Sequence, residues 1–291
     1  MSAVDKANAT VLGSRGWVLD VDGCLMRTKR AGGAGGEAMP HAADLVAALY
    51  EAGHAVVVCT NASEKTPAEY AAHLRAQGIG VRDEDFATAG SAAAEYIAHH
   101  YPGARVLAAG AEGLAAPLRR LGVDLAEPGQ PGLADVVVVG AADGYSTEVI
   151  NAASLAVDAG APLFTTVDVP WFHGGLDKSV CVSAAVANAI GWATGATPQV
   201  LGKPSTALAE TLLRRLGVPA AEVTVVGDAT VEIRLARHMG ANSALVLSGA
   251  TTGEHLRTLE GDARPDLAVA DVAELYQLLY PTLPLTQGAR P

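Results

Sequence analysis

Short runs of consecutive apolar residues alternate along this chain with longer segments in which apolar positions recur every three or four. The runs at 16–19, 55–59, 105–109, 135–140, 163–166, 223–226, 244–247 and 267–270 predict strands. Most lack polar alternation, the pattern of a strand buried on both faces in a parallel sheet. Helical spacing predicts helices over 41–51, 91–100, 112–121, 146–159, 179–194, 233–239 and 272–279. Leu45, Val46 and Leu49 make the first apolar stripe, and Gly53 stops it. Thr66, Pro67 and Glu69 form a capping-box start for a helix that Gly78 ends, while Ser205 caps one with Leu208, Leu212 and Leu216 as its stripe. Strand and helix in alternation indicate an α/β fold with a parallel sheet. Residues 83–197 repeat the alternation with their own punctuation, enough for a small sheet of their own, and the first pattern returns from Gln199. Residues 1–15 read as a loose arm, 31–36 as a glycine-rich connection or flap, and 170–175 as a turn. The glycine-rich segment lacks the Gly-Lys-Ser/Thr that a phosphate-cradling P-loop requires.

Composition narrows the partners. The 291 residues carry a net charge of −11, and no Lys/Arg cluster exceeds a pair. That gives no electrostatic footprint for nucleic acid or an anionic membrane. Three cysteines without CxxC spacing and a first segment without a signal-peptide core point to a soluble, cytoplasmic protein.

Charge then appears where the apolar runs stop. Asp20 and Asp22 end the first strand, and residues two apart in extended chain share a face. A bare Asp-x-Asp-Gly equally reads as an Asx-turn. A calcium loop would need glutamate at its twelfth position, where Ala31 stands. Thr60, Lys203 and Asp228 close or follow three further strands. Each alone is an ordinary cap or turn. If the strands are adjacent and parallel, the four ends meet in one crevice, where open α/β sheets bind ligands. Phosphoryl transfer through an aspartyl-phosphate needs this set: a carboxylate nucleophile, a second acid, and cations. Two unit charges 4 Å apart repel by about 4 kcal/mol at an effective dielectric near 20, so a phosphate dianion needs compensation there. Asp20 with Asp228 can hold Mg²⁺, Lys203 supplies fixed positive charge, and Thr60 supplies a hydroxyl donor.

Taken together, Asp20-Val21-Asp22-Gly23-Cys24-Leu25, Thr60-Asn61-Ala62-Ser63, Gly202-Lys203-Pro204-Ser205 and Gly227-Asp228-x₃-Glu232 resemble the four motifs of the haloacid dehalogenase-like (HAD) phosphatase superfamily. The likeness is to its IIA group of p-nitrophenylphosphatases, phosphoglycolate phosphatases and NagD-like enzymes. It implies a Rossmann-like parallel-sheet core, residues 1–82 and 198–291, with an inserted α/β cap domain, residues 83–197. It implies Asp20 as nucleophile, Asp22 as general acid and base, and Mg²⁺ on Asp20, the Asp22 carbonyl and Asp228. The substrate it implies is a small phosphomonoester of the sugar, glycerol or glycolate phosphate type, and caps of the group often mediate homodimers.

Three positions depart from the pattern. Cys24 stands where the family usually has Thr or Val. Glu232 replaces a second aspartate and is expected to reach the metal through water. The cap signature is altered to Thr165-Thr166-Val167-Asp168 and Asp177-Lys178-Ser179-Val180. Asn61 and the cap residues Thr166, Asp168, His173 and Lys178 are the substrate-binding candidates. Three other readings use the same residues: a receiver-like phosphoacceptor, a dehalogenase, and a degenerate member acting as a regulatory or binding partner.

Overall fold

In this computed structural model the described residues are 3–28, 36–129, 134–174 and 177–283. Two compact units emerge. The first comprises residues 1–60, 70–87 and 212–291, the second residues 61–69 and 88–211.

The first unit is organised on a six-stranded sheet in the order Leu267–Val269, Asn242–Val246, Val223–Gly227, Gly16–Asp20, Ala55–Thr60, Phe86–Thr88. The pairings from Leu267–Val269 through Ala55–Thr60 are parallel. Every residue of Gly16–Asp20 and Val223–Gly227 is buried, as strands covered on both faces require. Helix Ala42–Glu51 buries Leu45, Val46 and Leu49, and Gly53 beyond it adopts φ 74°, the left-handed turn that glycine accepts most cheaply.

A second parallel sheet, five strands in the order Gln199–Val200, Leu163–Thr165, Val136–Val139, Arg105–Ala109, Asp124–Leu125, organises the second unit. Val136, Val138, Phe164 and Leu201 pack on one side with Ile97, Leu114 and Leu118; Val137, Val139 and Leu163 pack with Ala153, Ala156 and Ile190. Helices Ala89–His100 and Thr147–Asp158 are capped by Thr88 and Ser146. The expected capping box is present, with Glu69 Oε2 accepting from the Thr66 N–H at 2.8 Å.

Several expectations change. Residues 3–12 are helical rather than a loose arm. Residues expected as a turn form strand Trp171–Gly174, paired antiparallel with Asp177–Val180, so the helix expected from 179 starts at Val182. The aromatic Trp171 and Phe172 and the β-branched Val180 favour extended chain. The 31–36 connection lies outside the described residues except for Gly36. Gln199–Val200 joins the second sheet, not the first, because its register partners are Phe164 and Thr165. Lys203 therefore lies in the second unit, which comprises residues 61–69 and 88–211. Among the described residues, no helix is long and apolar enough to cross a membrane.

Candidate active site

Register builds the acidic edge of the first unit. Leu19 lies opposite Val226 on one side and Val58 on the other, and Asp20 lies opposite Cys59. Asp20, Thr60 and Asp228 consequently leave three neighbouring parallel strands within about one residue of the same level. Asp20 is 6% exposed and Thr60 3%. The strand stops at Asp20, so alternation does not govern Asp22. The chain turns at Val21, and Asp22 makes an isolated bridge to Met26 while its Oδ1 accepts from the Thr28 hydroxyl at 2.6 Å.

Asp228 sits in a cradle that only glycines permit. A β-carbon at Gly249 would lie 1.9 Å from Asp228 Oδ2, and one at Gly23, where φ is +75°, would lie 2.3 Å from it. The Ala250 N–H donates to that oxygen at 2.6 Å, the Thr251 N–H to the Asp228 carbonyl at 2.9 Å, and the Ser248 hydroxyl to the Gly23 carbonyl at 2.7 Å. The turn after strand Gly16–Asp20 and the segment after strand Asn242–Val246 are thereby fixed around one carboxylate. The donors collected here are carboxylate and carbonyl oxygens, the hard set that suits Mg²⁺ rather than a thiolate- or imidazole-seeking metal.

Glu232 is 3% exposed and occupies the third position of helix Thr230–Met239. Ala229 at the helix start has no side chain able to cap it. Glu232 Oε2 instead accepts from the Ala229 N–H at 3.2 Å, and its methylenes lie against Gly227, where a β-carbon would come within 2.1 Å.

In the second unit Asn61 brackets Lys203. The Asn61 carbonyl oxygen accepts from the Lys203 N–H at 2.8 Å, and its amide donates to the Lys203 carbonyl at 3.3 Å. Lys203 itself is 7% exposed. Gly202 is needed beside it, since a β-carbon there would strike the Thr166 carbonyl at 2.1 Å. Asn61, expected on the substrate, thus bonds both polar groups of the Lys203 backbone. Thr166 is fully buried, with its hydroxyl 3.1 Å from that of Ser63, which accepts the Ala141 N–H at 3.0 Å. Nearby, Tyr145 donates to the Gly140 carbonyl, and burial pushes its phenol up to about 12.

Asp168 is exposed and accepts from the Asn188 amide at 3.3 Å, and both line a cavity of about 370 Å³ with Trp171, Val180, Cys181 and Ala184. His173 and Lys178 pair in register on the hairpin, but their side chains lie outside the described part. Reasoning from sequence missed Asn188, Ser63, Gly249 and Ala250. The small-residue run after strand Asn242–Val246 offered a signal by the same strand-end logic; Asn188, a lone amide in an alanine-rich helix, offered none.

Two family descriptions fit the chain: "Haloacid dehalogenase-like hydrolase" over residues 17–124, and "HAD-hydrolase-like" over residues 200–275. An acid sugar phosphatase of Staphylococcus aureus is 30% identical over 202 residues, 68% of this chain and 75% of that one. The chain belongs to the haloacid dehalogenase-like hydrolase family. Among solved structures, this HAD-like hydrolase is similar to a p-nitrophenyl phosphatase from Archaeoglobus fulgidus, with a TM-score of 0.79 and 27% identity over 91% of this chain and 98% of that one. It is similar also to a glycerol phosphate phosphatase from Mycobacterium tuberculosis solved in complex with magnesium, with a TM-score of 0.78 and 27% identity over 92% of this chain and 78% of that one.

Proposed function

We propose that this HAD-like hydrolase is a Mg²⁺-dependent phosphatase of small phosphomonoesters of the sugar, glycerol or glycolate phosphate type, working through an aspartyl-phosphate on Asp20. The observation that carries the reading is the gathering of Asp20, Thr60 and Asp228 at one sheet edge, with Asp228 cradled by Gly23 and Gly249. Crowding a buried carboxylate, Asp20, with the half-buried Asp228 is costly unless a cation and an anionic ligand use the site together.

In this reading an Asp20 oxygen attacks phosphorus and the ester P–O bond breaks. Asp22 gives its proton to the leaving oxygen, producing the alcohol and the aspartyl-phosphate. Asp22, now a carboxylate, takes a proton from the water that attacks phosphorus, and Asp20 is released with inorganic phosphate. Thr60 donates to a phosphoryl oxygen and Lys203 neutralises another, with Asn61 fixing the lysine backbone. Asp20, the Asp22 carbonyl and Asp228 would hold Mg²⁺, whose charge lets the phosphate dianion approach them. Glu232, occupied with the Ala229 N–H, acts on the metal through water.

Discrimination among phosphomonoesters is assigned to the second unit, to Asp168 with Asn188 and to His173 and Lys178 on the hairpin; Thr166 serves as a buried tie to Ser63. The second unit also supplies the face for a homodimer. Helix Val182–Thr194 carries no charged residue and exposes Val182 at 50% and Trp192 at 89%, so two copies of a −11 chain can meet there without like charges opposed. Cytoplasmic residence is supported by the buried, unbridged state of Cys24, Cys59 and Cys181.

Release of phosphate from p-nitrophenyl phosphate and from a panel of sugar, glycerol and glycolate phosphates tests the reading. Activity should depend on Mg²⁺, and full activity after exhaustive chelation would overturn it. Sedimentation of the wild-type chain and of Trp192→Glu tests the dimer: the wild type should sediment as a dimer and the variant as a monomer.

A further inference from the structure

Away from these acids, a second set of metal-ligating side chains gathers within the second unit. His99 and His100 end helix Ala89–His100, and Glu210 stands on helix Thr206–Leu216. One donor atom from each lies within 4.8 Å of the other two. His100 Nε2 is 3.0 Å from Glu210 Oε1 and 3.2 Å from Oε2. We propose that His99, His100 and Glu210 bind a divalent transition cation of the Zn²⁺ class and so clip the end of one helix to the other.

Ligand type and geometry carry the assignment. Two imidazoles and one carboxylate, with room for water, are a three-ligand set that Zn²⁺ accepts in tetrahedral coordination. The same set discriminates against Mg²⁺, which keeps oxygen ligands and water. Bonds of about 2.0–2.1 Å in a tetrahedron put ligand atoms roughly 3.4 Å apart. The His100–Glu210 edge already has that size, and exposed His99 closes the rest by side-chain rotation.

The ring of His100 is held by its neighbours. Tyr96, one turn earlier, packs on it at 4.3 Å between centroids, and Tyr96 rests edge-on against buried Phe164 at 6.0 Å. The His99 ring stands at 89° to that of His100, 4.8 Å away. Both histidines lie at the carbonyl end of their helix, where a cation is electrostatically favoured. An exposed His100–Glu210 ion pair would use one imidazole; a metal uses both.

The test is calorimetric titration of Zn²⁺ into the full chain held in excess Mg²⁺, which occupies the catalytic acids. The wild type, His99→Asn and Glu210→Gln are compared; both changes sit on accessible positions, and melting without Zn²⁺ checks folding. One Zn²⁺ should bind the wild type, raise its Tm, and bind each variant about tenfold or more weakly with the Tm gain lost. Co²⁺ should give a visible absorption band with the wild type that His99→Asn abolishes. No Zn²⁺ uptake by the wild type, or equal affinity in both variants, would overturn the site. Because every readout is binding, absorbance or melting, the outcome is independent of whether phosphate esters are hydrolysed.

Discussion

The two edges of the first sheet treat carboxylates in opposite ways. At the amino-terminal edge, Asp266 precedes strand Leu267–Val269 and accepts two guanidinium contacts from Arg237, at 2.7 and 3.3 Å, plus the N–H and hydroxyl of Ser243, both at 2.8 Å. Ser14 and Thr224 bond there at 2.7 Å, and Arg15 pairs with Glu222. At the carboxyl-terminal edge, Asp228 accepts from a backbone N–H and Asp22 from a hydroxyl. One edge ties its carboxylate to a guanidinium and a serine; the other holds Asp228 from a backbone N–H and Asp22 from a threonine hydroxyl. Equivalent residue types at the two ends of the same strands thus do different work, and the partners tell them apart.

The largest effect expected from breaking this contrast is at Asp20. Asp20→Asn keeps shape and hydrogen-bonding capacity but removes the nucleophile. Turnover on p-nitrophenyl phosphate should fall on the order of 10⁴-fold or more. Trapping of acid-stable phosphoenzyme should fail in the variant. Residual turnover within tenfold of wild type would remove Asp20 from the reaction.

Next in size is the cradle. Gly249→Ala puts a methyl where Asp228 Oδ2 stands, so the carboxylate must rotate away. Apparent Mg²⁺ affinity should drop about 10–100-fold, the range for displaced metal-site support, with kcat at saturating Mg²⁺ recovering in part. An unchanged Mg²⁺ requirement would mean Asp228 does not touch the metal.

Asn61→Ala sharpens the comparison by adding the second sheet as a third term. It removes the two bonds from Asn61 to the Lys203 backbone, so kcat/KM should fall about tenfold, equally on every phosphomonoester. Losses that differ strongly between substrates would place Asn61 on the leaving group after all. Thr166→Val, by contrast, should cost about 1–3 kcal/mol of stability in denaturant titrations while sparing kcat/KM, since it leaves the Ser63 hydroxyl without that partner.

How much of this was readable beforehand follows from what each signal depends on. The strands around Val18, Val57 and Val225 were legible because burial on both faces writes an uninterrupted apolar run. The acids at their ends were legible because charge stands out against such a run. Sheet membership of Val200 was not, because a two-residue strand pairs wherever register offers a partner, and Leu163–Thr165 did. The roles of Asn61 and Thr166 were hidden for a related reason. A polar residue after a strand has the same sequence signature whether it faces ligand or a neighbouring backbone. Only the positions of Lys203 and Ser63, 142 residues on and 103 residues back, decide it.

The smallest effect tests the amino-terminal edge and turns on pH. Burial alone would raise the pKa of Asp266, but hydrogen bonds from Arg237 and Ser243 outweigh it and hold the carboxyl below the usual range. A depressed folded pKa means the unfolded chain takes up this proton first as pH falls. The stabilisation is therefore complete at neutral pH, begins to fade near the ordinary carboxylate value of about 3.9, and disappears as pH passes the lower folded value. Asp266→Asn cannot titrate and loses the ionic part at every pH. At pH 7 it should be less stable than wild type by about 1 kcal/mol, a modest figure because the pair is partly solvated. Urea midpoints taken from pH 7 down to pH 3 should show that gap narrowing below pH 4. Activity per folded molecule should be unchanged throughout, since the far edge holds the sheet and does not meet the ester. A stability gap that stays constant with pH would show that Asp266 contributes shape and not charge, and the contrast between the two edges would have to rest on hydrogen-bond geometry alone.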